Sequence, residues 1–181
     1  TAGAGNALAV SITGGNGVIS NYGDISGGML TDAGDDYVRN YEGGRIFLSD
    51  DTIDLGGGYN YFLNEGRLYA DGVNNVIDMG YYGGGEGGYY YGLFVNDGSS
   101  IHMNDGAADD ALTIIGDFTG TGDVNVDVDG ASLTSDMLYI EGDVLAGTAN
   151  VINVDLLSLP SAADVKAGET IAIVEVSGGS T

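Results

Sequence analysis

Carboxylates are the most abundant groups capable of chemistry in this sequence. Twenty-seven acidic side chains stand against only Arg39, Arg45, Arg67 and Lys166, a formal net charge of −23 over 181 residues. The densest groups are Asp35-Asp36, Asp50-Asp51-Asp54 and Asp109-Asp110. Hard oxygen ligands of this kind suit Ca2+, so Asp50, Asp51 and Asp54 are the candidate metal ligands and Ca2+ the candidate cofactor. The glycine-rich nonapeptide calcium repeat GGxGxDxUx is not met, because Gly14-Gly15-Asn16-Gly17 and Gly87-Gly88 lack the Asp at the needed place. The competing reading of these acids is a solvated face.

Other chemistries fare worse. Glycoside hydrolysis by paired carboxylates occurs on β-helices and is a reading to test. Anionic sugars, however, call for basic residues beside the acids, and the four here are scattered, with no Arg-x-Lys pair. His102 is the lone histidine and Cys is absent. A zinc site is therefore excluded, and a His-based triad requires Ser99, Ser100 or Asp105 to converge on that ring. The glycine-rich stretches are followed by no P-loop Lys-Ser/Thr. The chain is expected not to be an enzyme.

The most unusual local feature is Met79-Gly-Tyr81-Tyr82-Gly-Gly-Gly-Glu-Gly-Gly-Tyr89-Tyr90-Tyr91-Gly92. Two tyrosine clusters mirror each other about a glycine centre, which predicts a hairpin insertion over 79–92. Tyrosine offers a large rigid contact area with one polar tip. Tyr81, Tyr82, Tyr89, Tyr90 and Tyr91 are thus candidate contacts for self-association or a glycan, unless the hairpin lies back on its own domain.

The elements that must position these groups are strands. Apolar residues alternate with period two in Leu8-Val10-Ile12, Val124-Val126-Val128, Ile152-Val154-Leu156 and Ile171-Ile173, leading to Val174 and Val176. Helical periodicity is confined to one weak turn at Pro160 to Lys166. Gly numbers 34 and Pro 1, the glycines clustering between β-branched runs as many tight turns require. An apolar content of 43% is that of a folded domain, and no stretch approaches 18 apolar residues.

Internal repeats set the architecture. Asp110-Ala-Leu112-Thr-Ile114-Ile-Gly116-Asp117 is echoed 26 positions later by Asp136-Met-Leu138-Tyr-Ile140-Glu-Gly142-Asp143. Val124-Asn-Val126-Asp127-Val128 recurs 28 positions later as Ile152-Asn-Val154-Asp155-Leu156. An N-x-G turn before an apolar residue appears at Asn21-Gly23-Ile25, Asn64-Gly66-Leu68 and Asn96-Gly98-Ile101. Short strands with a period in the twenties predict a single all-β domain over 1–181, a right-handed parallel β-helix (β-solenoid) of about seven rungs. A β-sandwich is the alternative.

From Asp110 onward the sequence resembles the passenger domains of bacterial autotransporters, the pertactin-like β-helices. The residues that carry it are Asp136-x-Leu138-x-Ile140-x-Gly142, Gly147, Val151-Ile152-Asn153-Val154-Asp155 and Gly168-Glu-Thr-Ile171-Ala-Ile173-Val174-Glu-Val176. About the last 70 residues are covered, while the first 100 share only the style of the turns. The resemblance implies a protein secreted to the cell surface of a Gram-negative bacterium, as a processed passenger, a fragment, or a protein using the same rungs in another assembly. The small residues Thr1 to Gly5 agree with a processed or cut start. The expected role is structural or adhesive, as a homo-oligomer, filament or matrix component, with a glycan or host-surface partner; a glycan-binding module or polysaccharide-degrading enzyme is the alternative. Nucleic acid is excluded by charge, and no membrane contact is expected of this segment.

Overall fold

The computed structural model describes residues 8–85, 88–160 and 170–178. Strands come in groups of three. The first group is β1 (Leu8–Ser11), β2 (Val18–Asn21) and β3 (Asp24–Ser26); the second is β4 (Gly28–Leu30), β5 (Tyr37–Asn40) and β6 (Arg45–Ser49). The third is β7 (Thr52–Asp54), β8 (Tyr61–Asn64) and β9 (Arg67–Asp71). β10 (Asn75–Asp78) opens the fourth, which is interrupted by a hairpin of β11 (Tyr81–Gly85) and β12 (Gly88–Tyr91) before β13 (Leu93–Asn96) and β14 (Ser100–His102). The fifth is β15 (Ala111–Ile115), β16 (Asp117–Gly120) and β17 (Asp123–Asp129), with β18 (Thr134–Ser135) turned back on β17. β19 (Met137–Ile140), β20 (Val151–Ser158) and β21 (Val174–Val176) complete the described strands. No helix occurs among the described residues.

Members of successive groups pair with one another. The first sheet runs β1-β4-β7-β10-β15-β19-β21, the second β2-β5-β8-β13-β16, and the third β3-β6-β9-β14-β17, with β20 also on β17. Among the described residues antiparallel pairing is confined to β11–β12 and β17–β18; every other strand pair is parallel. The facing antiparallel sheets of a sandwich are not what these strands build.

Parallel, in-register pairing places like side chains over one another about 4.8 Å apart. Val10, Met29, Ile53, Ile77, Ile114, Ile140 and Val176 make one such row in the first sheet. Ile19, Val38, Phe62, Phe94 and Phe118 make the row of the second sheet, and Ile25, Ile46, Leu68, Ile101, Val124 and Ile152 that of the third. Apart from Ile152 and Val176, which are exposed, these rows meet in one contiguous core. Each fully buried Ile, Leu or Phe stabilises the fold by about 1.5–3 kcal/mol relative to exposure.

The sequence echoes are spatial register. Leu112 pairs with Leu138 and Ile114 with Ile140, while Val124, Val126 and Val128 pair with Ile152, Val154 and Leu156. Two expectations at the C-terminal side fare differently. β21 begins at Val174 rather than at Ile171, although the Ile173 carbonyl accepts the Leu138 N–H. The helical turn expected at Pro160 to Lys166 lies, beyond Pro160, outside the described residues.

Candidate functional site

The corner between the second and third sheets is built by asparagines. Asn21, Asn40, Asn64 and Asn96 close β2, β5, β8 and β13 in register, each at most 5% exposed. Their amides form a ladder: Asn21 Nδ2 donates to Asn40 Oδ1 (2.9 Å), Asn40 to Asn64 (2.8 Å) and Asn64 to Asn96 (3.0 Å). In the fifth group the ladder position is Gly120, and Asn150 reaches in from the next loop to accept from Asn96 Nδ2 (3.1 Å). The N-x-G pattern found three of these residues. It missed Asn40, where three residues precede Gly44, and Asn150, which has no N-x-G signature.

Outside this ladder runs a groove of about 590 Å3, where Arg67 meets Glu42, Glu65 and Asp123 beside Ser99 and Ser100. Arg39 is held by Glu65 at 2.7 Å and Arg45 by Asp24 at 2.7 Å, whereas the exposed Arg67 borders this groove. Its register partner is Ser100, one strand along. The sequence scatters its basic residues, yet one of them joins carboxylates here, because the circuit of strands brings Glu42, Glu65, Arg67 and Asp123 to the same corner.

Ser100, His102 and Asn104 alternate outward along one segment, with Ile101 and Met103 buried between them. Ser100 Oγ lies 2.8 Å from His102 Nε2, and Asn104 Oδ1 lies 3.3 Å from Nδ1. With the proton on Nδ1 the ring donates to Asn104 and accepts from Ser100. Of the three residues whose convergence on His102 was a condition for triad chemistry, Ser100 meets it. The pair can pass a proton, but acyl transfer also needs donors aimed at a developing oxyanion. The Ser100 N–H is instead spent on the Gly66 carbonyl within the sheet (3.2 Å). The imidazole stacks on Tyr69 at 4.9 Å and Tyr69 on Phe47 at 4.8 Å, so these rings spend their faces on one another.

At the opposite edge of the third sheet, β9 ends at Asp71 and the segment after β14 turns through Asp105 to Asp110. Carboxylate oxygens of Asp71, Asp105 and Asp110 all lie within 4.8 Å of one another, the one such trio among the described residues. They border a cavity of about 180 Å3 whose walls hold no Lys or Arg among the described residues. Asp110 is buried; its Oδ1 accepts the Gly72 N–H (2.6 Å) and its Oδ2 has no hydrogen-bond partner. Burial pushes its carboxyl up to about 7, with Asp105, Asp136 and Asp71 adding repulsion and the Gly72 N–H opposing. Burial likewise lifts Asp136 to about 6, against the Asp127 and Asp110 N–H groups that its two oxygens accept.

Asp50, Asp51 and Asp54 do not meet. Asp50 is exposed at φ 55°, with Oδ1 accepting the Asn74 N–H; Asp51 turns inward; Asp54 faces outward and caps the Gly56 N–H (2.8 Å). Strand alternation sends neighbouring acids to different sides. The hairpin stands where expected, Tyr81 pairing with Tyr91 and Tyr82 with Tyr90. Tyr81, Tyr82 and Tyr90 are about three-fifths exposed, while Tyr90 and Tyr91 wall a hollow of about 440 Å3 facing Asp117, Glu141 and Asp143. Of Tyr89 only the backbone pairing to Gly83 is described. The chain matches no protein-family model, no curated protein and no solved structure.

Proposed function

We propose that the chain is a right-handed parallel β-helix that serves as a non-catalytic structural or adhesive surface protein, like an autotransporter passenger, and stacks end to end with its own copies. Strands feeding parallel neighbours through crossovers are almost always right-handed. The observation that carries the reading is β20. Ile152, Val154 and Leu156 are 39%, 48% and 53% exposed, although their register partners Val124, Val126 and Val128 are buried. Beside them the core opens into an apolar hollow of about 240 Å3 among Phe118, Leu138, Ile140, Val144 and Val174. A second copy seated on β20 in the same register prolongs the row of the third sheet, and a heterologous contact of this kind propagates as a filament. Sedimentation velocity at about 0.15 M salt, where exposed charges are screened beyond roughly 8 Å, checks this. Oligomers growing with concentration, abolished by Val154→Asp, are expected; a monomer at every concentration contradicts the reading.

A second reading, glycan binding, is favoured by the groove where Arg67 meets Glu42, Glu65 and Asp123. A guanidinium among carboxylates offers donors and acceptors to sugar hydroxyls. Binding to a polysaccharide panel that survives Arg67→Ala unchanged excludes this groove.

A further inference from the structure

We propose that Asp71, Asp105 and Asp110 form a Ca2+ site that fastens the 103–110 corner to the group of strands beneath it. Two oxygens on one Ca2+, each at 2.3–2.6 Å, lie at most about 5 Å apart, and the three carboxylates meet that limit. The independent pointer is Asp110 Oδ2, a carboxylate oxygen on a residue 3% exposed that borders the cavity and accepts no hydrogen bond. A buried anionic oxygen of this kind is costly unless a proton or a cation meets it. Among the described residues no basic side chain borders the cavity. Two of its polar neighbours are committed elsewhere: the His102 nitrogens lie against Ser100 and Asn104, and Asn104 Nδ2 donates to Asp155 (2.9 Å). The ligands that remain are hard oxygens on two separate backbone segments, the end of β9 and the 103–110 turn, and the cavity has room for several waters to complete the shell. Irregular, oxygen-only, partly hydrated sets suit Ca2+ better than Mg2+, which demands near-ideal octahedral geometry.

The site also explains how this corner is held. Between β9 and β10 the turn takes three residues, 72–74, whereas β14 and β15 are joined by eight, 103–110. Toward the following strands the longer turn is fixed by Asp127, which accepts the Gly106 N–H (2.6 Å), and by Asp136, which accepts that of Asp110 (3.0 Å). Toward the preceding strands it is held at Asp110 and Ala111, both on Gly72. An ion on Asp71 and Asp105 supplies the missing fastening at the loop's tip.

The test is calorimetric titration of the EDTA-treated full chain with Ca2+ and, separately, with Mg2+. Asp105→Asn serves as the site variant, since its exposed side chain leaves the fold intact, and Asp50→Asn as the control. The expected result is one saturable Ca2+ per chain, at least about tenfold weaker for Mg2+ and for Asp105→Asn, and unchanged in Asp50→Asn. Hydrogen exchange over 103–110 slows on Ca2+ addition in the parent and not in Asp105→Asn. Diffuse multi-site binding, equal affinity for the two ions, or Asp105→Asn binding like the parent overturns the proposal.

Discussion

At the scale of the residue, the buried asparagines and aspartates define this protein. Asn64 donates through Nδ2 to Asn96 and accepts from Asn40 while fully buried. Asn64→Ala leaves one Asn40 N–H without its acceptor, at about 1–3 kcal/mol, and empties a buried volume worth roughly another 1 kcal/mol, while Asn96 Oδ1 keeps the Ser99 hydroxyl. Urea unfolding should therefore show a loss of about 2–4 kcal/mol, against only a few tenths for exposed Asn74→Ala. Two carboxyls titrate in the opposite sense to ordinary surface acids. Asp110 at about 7 and Asp136 at about 6 lie above the usual 3.8, so between those limits the folded chain holds protons that the unfolded chain has released. With Asp71, Asp105 and Asp127 also facing them, stability in EDTA falls as pH rises from about 4 to about 7. The melting temperature across that range checks the sign, and Asp136→Asn should flatten the slope. None of this was legible in composition, because burial alone separates Asp110 from Asp109.

At the scale of the element, strand and turn chemistry were legible because both are local. Period-two alternation marked the apolar rows, and the paired echoes at 26 and 28 residues gave the register of β15 on β19 and β17 on β20. The N-x-G turn has a packing cause at Gly66, where an added methyl would overlap the Gly44 carbonyl and come within 2.6 Å of Asn40 Nδ2. Gly66→Ala is expected to cost at least about 1–3 kcal/mol through this overlap, read as a fall in the denaturation midpoint. The hairpin was equally legible from its mirrored tyrosines. The Tyr82 and Tyr90 rings are largely exposed, so Tyr82→Ser with Tyr90→Ser should shift stability by less than about 0.5 kcal/mol. If the hairpin is an adhesive contact, the same pair should reduce retention on immobilised polysaccharide or on immobilised copies of the chain. Unchanged retention on both removes it from that role.

At the scale of the whole molecule, what the sequence hid is what long-range register decides. Asp71 and Asp105 are 34 positions apart, farther than the repeat interval, because the hairpin lengthens that circuit. Arg67 and Asp123 meet for the same reason. The local groups Asp50-Asp51-Asp54 looked denser, but alternation disperses them. The apolar rows themselves were foreseeable; their emergence on an exposed β20 was not, since the Ile152-Val154-Leu156 pattern is that of a buried strand. The central claim is that copies prolong these rows head to tail. Cryo-electron microscopy of the concentrated protein in Ca2+ tests it most directly. The account predicts filaments with a strand spacing of about 4.8 Å along the axis and a subunit rise of about 30 Å, six to seven strand layers. Closed dimers, side-by-side sheets joined through the tyrosines, or single particles alone contradict it.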